Sequence, residues 1–101
     1  MSEPLVLRGP EGSITLLPGA MTQLVVTAAE NVGGARVRRP KRTVQVEHGG
    51  GSATVSLGLS VAHGTLLPDV ARDVQERVAA AVSSTCGLEV EAVNVLVEAV
   101  V

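Results

Sequence analysis

Two segments of the chain repeat their hydrophobic residues every three to four positions, which is the spacing of an amphipathic helix. The first stripe comprises Met21, Leu24, Val25, Ala28 and Val32. The second comprises Val70, Val74, Val78, Ala81 and Val82. A proline stands at the start of each segment, where its missing N–H costs nothing, and glycine follows each segment, as is typical of a helix C-terminus. The spacing predicts helices over about residues 18–32 and from Pro68 to Cys86, with Gly87 as the C-cap.

Between and after these segments the hydrophobic period changes to two, which predicts strands with one buried face. Residues 43–47 alternate polar and valine positions, the glycine-rich stretch 48–52 predicts a turn, and residues 53–62 alternate apolar with small polar side chains. A last strand is predicted through Val93, Val95 and Val97, and a short strand over Ser13–Leu17. The predicted fold is α+β in the order (β)αββαβ, with two helices on one face of a small mixed or antiparallel sheet.

Two architectures remain open at this point, because strand order cannot be inferred from these residues. With the first strand the order matches a ferredoxin-like split βαβ fold; without it, the order is the αββαβ unit of ring-building and KH-like modules. Residues 1–11 contain two prolines and a glycine and have only one short apolar run, so they predict a flexible N-terminal arm. The predicted single domain then covers residues 12–101.

The absence of aromatic residues changes the functional picture. The chain has no Phe, Tyr or Trp. Aromatic base-stacking platforms and cation–π cages are therefore excluded, and a thin core of small aliphatic side chains leaves little room for a deep ligand pocket. The apolar runs are far shorter than the ~20 residues of a membrane span, and the N-terminus lacks the pattern of a signal peptide. We expect a cytoplasmic protein that acts through its surfaces.

No residue pattern in the chain predicts a catalytic, cofactor or metal site. His48 and His63 have no cysteine or paired histidine at metal-ligand spacing. Cys86 is the single cysteine and is expected to be a buried, unreactive thiol. The glycines at 33–34 and 49–51 lack the Lys-Ser/Thr ending of a P-loop and the spacing of a dinucleotide fingerprint. We therefore expect a non-enzymatic protein without a cofactor.

The most distinctive polar feature is a basic segment in the N-terminal half. Five of its seven residues are basic: Arg36, Arg38, Arg39, Lys41 and Arg42. The segment is interpreted as a solvated connection, as a contact for a protein or membrane surface, or as a phosphate-binding segment for nucleic acid. The overall pI of about 5.6 and the lack of stacking residues oppose a dedicated nucleic-acid binder. The excess of basic residues before position 67 and of acidic residues after it favours head-to-tail self-association.

The C-terminal half resembles the alkaline shock protein family of Gram-positive envelope stress response proteins. The resemblance lies in a strand ending in Val61-Ala62-His63-Gly64, in the helix pattern P-x-V-A-x-x-V-Q-x-x-V from Pro68, and in the stretch from Thr85 to Val97 with the pattern T-x-G-L-E-V-x-x-V-N-V-x-V. The beginning at Gly12 and the junction Val32–Val37 fit the family pattern more loosely, so the resemblance covers about residues 12–100. The chain departs from the usual pattern in lacking the aromatic residue often found near the V-x-H-G strand.

This resemblance implies a non-enzymatic cytoplasmic protein that self-assembles, responds to envelope stress and is gathered at the membrane by a membrane-anchored partner. Combined with the basic segment, it predicts a homo-oligomeric interaction module whose residues Arg36–Arg42 meet an acidic surface, either of a partner or of the C-terminal half of a second copy. The alternative hypothesis is a small KH-like module that binds nucleic acid through the same basic segment.

Overall fold

The computed structural model describes residues 3–101, which form six strands and three helices. In chain order they are β1 (Leu5–Gly9), β2 (Gly12–Leu16), α1 (Pro18–Glu30), β3 (Ala35–Arg36), α2 (Pro40–Thr43), β4 (Val44–Gly49), β5 (Ser52–Val61), α3 (Leu67–Cys86) and β6 (Glu89–Val100). Strands β1 and β2 form a separate two-stranded sheet, and β3 to β6 form the main sheet. The predicted α+β class is confirmed.

Strand β5 is the centre of the main sheet. Its first half pairs antiparallel with β4, with Val44 opposite Leu57, and its last residues pair antiparallel with β3. Along its whole length β5 also pairs in parallel with β6. Because the same β5 residues pair with β4 and with β6, those two strands lie on opposite sides of β5. Parallel neighbours need a long crossover connection, and α3 supplies it between β5 and β6.

The core lies between the helices and one face of the main sheet. From β5 it takes the alternate residues Ala53, Val55, Leu57, Leu59 and Val61. From α3 it takes Val70, Val74, Val78, Val82 and Cys86, and from α1 it takes Met21, Val25, Val26, Ala28 and Ala29. Valine is β-branched and lowers intrinsic helix propensity, so burial of these stripes, at about 1.5–3 kcal/mol per side chain, is what holds both helices in place.

The opposite face of the main sheet, here called the open face, has no helix packed on it. It carries the intervening β5 residues Thr54, Ser56, Gly58 and Ser60, and the β6 residues Ala92, Asn94 and Leu96 beside them. Leu96 is 66% exposed. The predicted alternation of apolar inward and small polar outward residues in the second hairpin strand is confirmed from Ser52 to Leu57, whereas Gly58 and Ser60 farther along the strand are buried as well.

The structure confirms both long helices and the hairpin. Gly50 and Gly51 form its two-residue turn, with φ of 60° and 83°, as a type I′ turn requires. Gly87 ends α3 in the left-handed region with φ of 68°, and its N–H donates to the Ser83 carbonyl at 2.9 Å. That geometry is the predicted helix C-cap. The last strand is longer than predicted, and His48 belongs to β4 and not to the turn.

The N-terminal segment differs from the flexible arm predicted for residues 1–11. Residues 5–9 form β1, which pairs with β2 from Leu5 opposite Leu16 to Gly9 opposite Gly12. Leu5 is only 6% exposed and belongs to the core, which ties the hairpin to the domain. The strand was missed because its apolar run is three residues long and lies between Pro4 and Pro10. Residues 1 and 2 of the predicted arm lie outside the described residues.

Candidate interaction surface

The basic segment, residues 36–42, connects β3 to β4 and is attached to the domain by its apolar residues. Ala35 and Val37 are buried, and the N–H of Val37 donates to Glu30 Oε2 at 3.0 Å. The N–H of Ala62 donates to the Gly34 carbonyl at 2.8 Å. These contacts hold the backbone where β3 enters the sheet. Arg36 and Arg38 alternate with the buried Ala35 and Val37 and therefore project outward, and the other three basic residues follow in a stretch that has no buried residue.

Arg39 has a conformation that is uncommon for a residue with a side chain. Its φ of 51° and ψ of 60° lie in the left-handed region, which costs a non-glycine residue about 1–2 kcal/mol. The turn is stabilised locally, because Thr43 Oγ1 donates to the Arg38 carbonyl at 2.9 Å and the N–H of Arg42 donates to the Arg39 carbonyl at 2.9 Å. Pro40 then begins the single-turn helix α2. The sequence predicts no element in this segment, because β3 and α2, with two and four residues, are too short for a hydrophobic period to repeat.

All five basic side chains are exposed, and none makes an ion pair within residues 3–101. They do not form one cluster. Arg36 and Arg38 line a groove of about 530 Å³ with Glu30 and Ser60. Arg42 lines a second groove, of about 260 Å³, on the open face. Lys41 lines a third, beside the beginning of α1 and the outer side of β4. The structure therefore spreads the predicted interaction residues along one side of the sheet.

The side of the sheet opposite the basic segment is formed by β6, and it is acidic. Within residues 3–101, the 12-residue strand β6 pairs only with β5, so its outer edge is unpaired. It exposes Glu89, Glu91 and Glu98. Two register shifts relative to β5 occur after Val90 and after Val97, so Glu91 and Glu98 are the extra residues of two bulges. Between the bulges lies an uncharged stretch, residues 92–97.

Charged bulges are a common way to manage an unpaired edge strand, and sequence analysis did not identify this acidic edge. The glutamates are visible in the sequence, but their common edge depends on β6 lying at the outside of the sheet. Glu98 extends from its bulge across the open face, where its carboxylate lies over Gly58. The second groove, lined by Arg42, Leu96 and Glu98, thus contains a positive and a negative side chain on the open face of the sheet.

The remaining candidate groups do not converge on a reactive site. Cys86 is buried and its thiol donates to Met21 Sδ at 3.7 Å, and burial raises the pKa of the thiol. His48 Nε2 lies 2.8 Å from the carbonyl oxygen of Glu3. Among residues 3–101, no group of three or more His, Cys, Asp or Glu side chains is placed to hold a metal ion. None of the helices in that range combines the length and the apolar character of a membrane span.

Comparison with known proteins agrees with the resemblance seen in the sequence. The model of the alkaline shock protein family, described as having a cell envelope-related function, matches residues 17–101. No curated protein matches the chain.

Solved structures of the MamM CTD have a similar fold. A His-to-Ala variant is 26% identical, with a TM-score of 0.54, over 80% of this chain and 95% of that one. An Asp-to-His variant described as a copper form has the same sequence identity, TM-score and coverage of both chains. A Glu-to-Asp variant described as a manganese form is 24% identical, with a TM-score of 0.54, over 80% of this chain and 96% of that one.

Proposed function

We propose that this chain, which belongs to the alkaline shock protein family of cell envelope-related function, is a non-enzymatic module that self-associates. It acts in the cytoplasm in the envelope stress response, and a membrane-anchored protein partner recruits it to the membrane. The family membership supports the envelope-related role. The self-association and the recruitment are what the family resemblance implies, and the exposed basic segment supports both.

One observation carries this proposal: five basic side chains are exposed, none is in an ion pair within residues 3–101, and their backbone is held by buried neighbours. Exposed cations near neutral pH attract an acidic surface, and a segment already fixed in place loses little conformational entropy when it binds one. Each exposed ion pair contributes only about 0–1 kcal/mol, so several pairs and an apolar or backbone contact must act together.

The non-enzymatic part of the proposal is supported by the chemistry of the surface. A nucleophile or a general acid needs a base or a partner within hydrogen-bond reach. Cys86 contacts a methionine sulfur in the core, and His48 contacts a backbone carbonyl. The grooves are open to solvent and are lined mostly by residues without catalytic chemistry.

Sedimentation velocity at tens of micromolar, in low and in high salt, tests self-association. We expect an assembly at low salt that dissociates as salt screens the charges. Arg38→Glu/Arg39→Glu should remove it, whereas Arg72→Glu/Arg77→Glu, which changes the charge equally on the exposed side of α3, should not. A chain that sediments as an unchanged monomer at both salt concentrations excludes charge-driven self-association.

Recruitment is tested by capture from native cells, with the same two variants as bait. We expect the parent chain and Arg72→Glu/Arg77→Glu to retain a protein with a membrane-spanning segment, and Arg38→Glu/Arg39→Glu to lose it. Equal retention by all three chains would place the partner contact elsewhere on the surface.

Nucleic-acid binding remains the alternative, and the spacing of the basic residues gives it little support. Lys41 lies in a different groove from Arg36 and Arg38, so a single phosphate backbone would not meet all five charges in one line. A mobility-shift assay with RNA decides between the two functions. Retention of RNA by the parent, lost in Arg38→Glu/Arg39→Glu while assembly persists, would favour the KH-like module.

A further inference from the structure

We propose that the acidic surface bound by the basic segment is the outer edge of β6 in a second copy of the chain, so that copies associate head to tail. This inference rests on the proposed self-association and specifies its interface. It starts from the topology of the main sheet. The basic segment connects β3 to β4 on one side of β5, and β6 lies on the other side.

The two surfaces have opposite charge and face away from each other. Glu89 and Glu91 are exposed along β6, the Glu98 carboxylate turns over Gly58 on the open face, and none of the three makes an ion pair within residues 3–101. The basic side chains across the sheet are likewise exposed. Apart from the groove that Arg42 and Glu98 share, the charges of the two sides do not meet within one copy, whereas a second copy placed beside it can pair them.

The outer edge of β6, which has no second strand beside it, offers the backbone and apolar contact that the interface needs in addition to its weak exposed ion pairs. Residues 92–97 lie between the two bulges without a charged side chain and have no second strand beside them in the described chain, and one of their carbonyls, that of Val93, accepts a hydrogen bond from Gln75 Nε2 at 3.1 Å. The charged bulges hinder pairing at the two ends of this stretch, and the edge between them is the part that can bind an extended segment through backbone hydrogen bonds. The half-buried Val95 and Val97 and the exposed Leu96 add apolar contact.

Charge also selects the direction of association. Two β6 edges placed together would bring glutamates against glutamates, and two basic segments would repel in the same way, because like charges on adjacent strands are destabilising. Only the pairing of unlike edges is favourable. Such a heterologous contact leaves one free edge at each end, so it continues into a chain of copies unless its rotation closes a ring.

A charge-swap experiment tests the interface in the full-length protein. Arg38→Glu/Arg39→Glu lowers the charge of the basic segment from +5 to +1, and Glu89→Arg/Glu91→Arg changes the charge at the three β6 glutamate positions from −3 to +1. Each variant alone should sediment as a monomer at a concentration at which the parent assembles. An equimolar mixture should associate again, because the unchanged basic segment of one variant can bind the unchanged β6 edge of the other. The thermal melting curve of each variant verifies that it is folded.

Asp73→Arg/Glu76→Arg is the matched control, because it makes the same charge change on the exposed side of α3. It should assemble like the parent. Hydrogen exchange provides a second measurement: amides of residues 92–97 should exchange more slowly in the assembled parent than in either monomeric variant.

The outcomes distinguish the interface from the proposed function. A parent that remains monomeric at low salt overturns both. A parent that assembles while Glu89→Arg/Glu91→Arg assembles equally well, or a mixture that stays monomeric, overturns the β6 interface and leaves self-association standing. Loss of assembly in Asp73→Arg/Glu76→Arg alone would place the acidic surface on α3.

Discussion

Glu98 lies directly over Gly58 on the open face of the sheet: a Cβ atom at Gly58 would stand 2.5 Å from Glu98 Oε1. The two residues belong to neighbouring strands, and the bulge after Val97 is what directs the Glu98 side chain inward over β5. Glycine at this position therefore leaves space for a charged side chain that begins at the edge of the sheet.

Gly58→Ala should change the free energy of unfolding by less than about 1 kcal/mol, because two effects oppose each other. Alanine reduces the entropy of the unfolded chain, which is worth about 0.4–1 kcal/mol, but it displaces the flexible end of Glu98. In a Glu98→Ala background the displacement is absent, so Gly58→Ala should be stabilising there. A double-mutant cycle by urea denaturation measures the coupling, and strictly additive effects would show that the two residues do not interact.

Glu30→Ala should destabilise the protein by about 1–3 kcal/mol, because it leaves the N–H of the buried Val37 without its acceptor. Glu30→Gln keeps an acceptor oxygen and should cost clearly less. Urea denaturation compares the two variants, with Glu76→Gln on the exposed side of α3 as a control for loss of charge. Equal losses in Glu30→Gln and Glu30→Ala would mean that charge, and not the hydrogen bond, is what matters.

Leu5→Ala should lower the free energy of unfolding by about 2–5 kcal/mol, as expected for truncation of a core leucine. Ile14, on the partner strand, is 66% exposed, so Ile14→Ala should cost well under 1 kcal/mol. The comparison tests whether the β1–β2 hairpin is part of the folded domain. Similar small effects from both variants would indicate that residues 1–11 behave as the flexible arm that their sequence predicts.

Gly87→Ala should cost about 1 kcal/mol, because alanine must adopt the left-handed conformation that ends α3. Gly33 is the matched control: it also follows a helix, its φ is not positive, and nothing lies within 4 Å of an added Cβ. Gly33→Ala should be neutral or slightly stabilising. Thermal melting measures both, and a loss of the same size at Gly33 would contradict the conformational explanation.

Burial of Cys86 should make stability fall at alkaline pH. The pKa of its thiol is raised above the ordinary value of 9.0 by desolvation, so the unfolded chain loses its proton at a lower pH than the folded chain does. The native state then binds more protons, and stability that is complete below about pH 9 decreases as pH rises towards the folded pKa. Cys86→Ala should flatten this dependence in urea denaturation at graded pH, with lower stability throughout because the core loses a sulfur atom.

The sequence by itself determined the local elements of this protein. Pro18, Pro68 and Gly87 mark helix ends, and their effects act over one turn of chain, so they can be inferred without the rest of the structure. The period of two in residues 43–62 likewise predicts a hairpin, because each residue's face depends only on its neighbours. The family motifs of the C-terminal half follow from the same local patterns.

Tertiary structure decided which surfaces those elements form. The sequence shows the basic residues and the glutamates as two separate groups, but only the pairing of β5 with both β4 and β6 places the groups on opposite sides of one sheet. Tertiary structure likewise decides the bulges at Glu91 and Glu98 and the burial of Leu5 in the core. Each depends on contacts between residues far apart in the chain, and no periodicity within a segment encodes which strand will lie beside it.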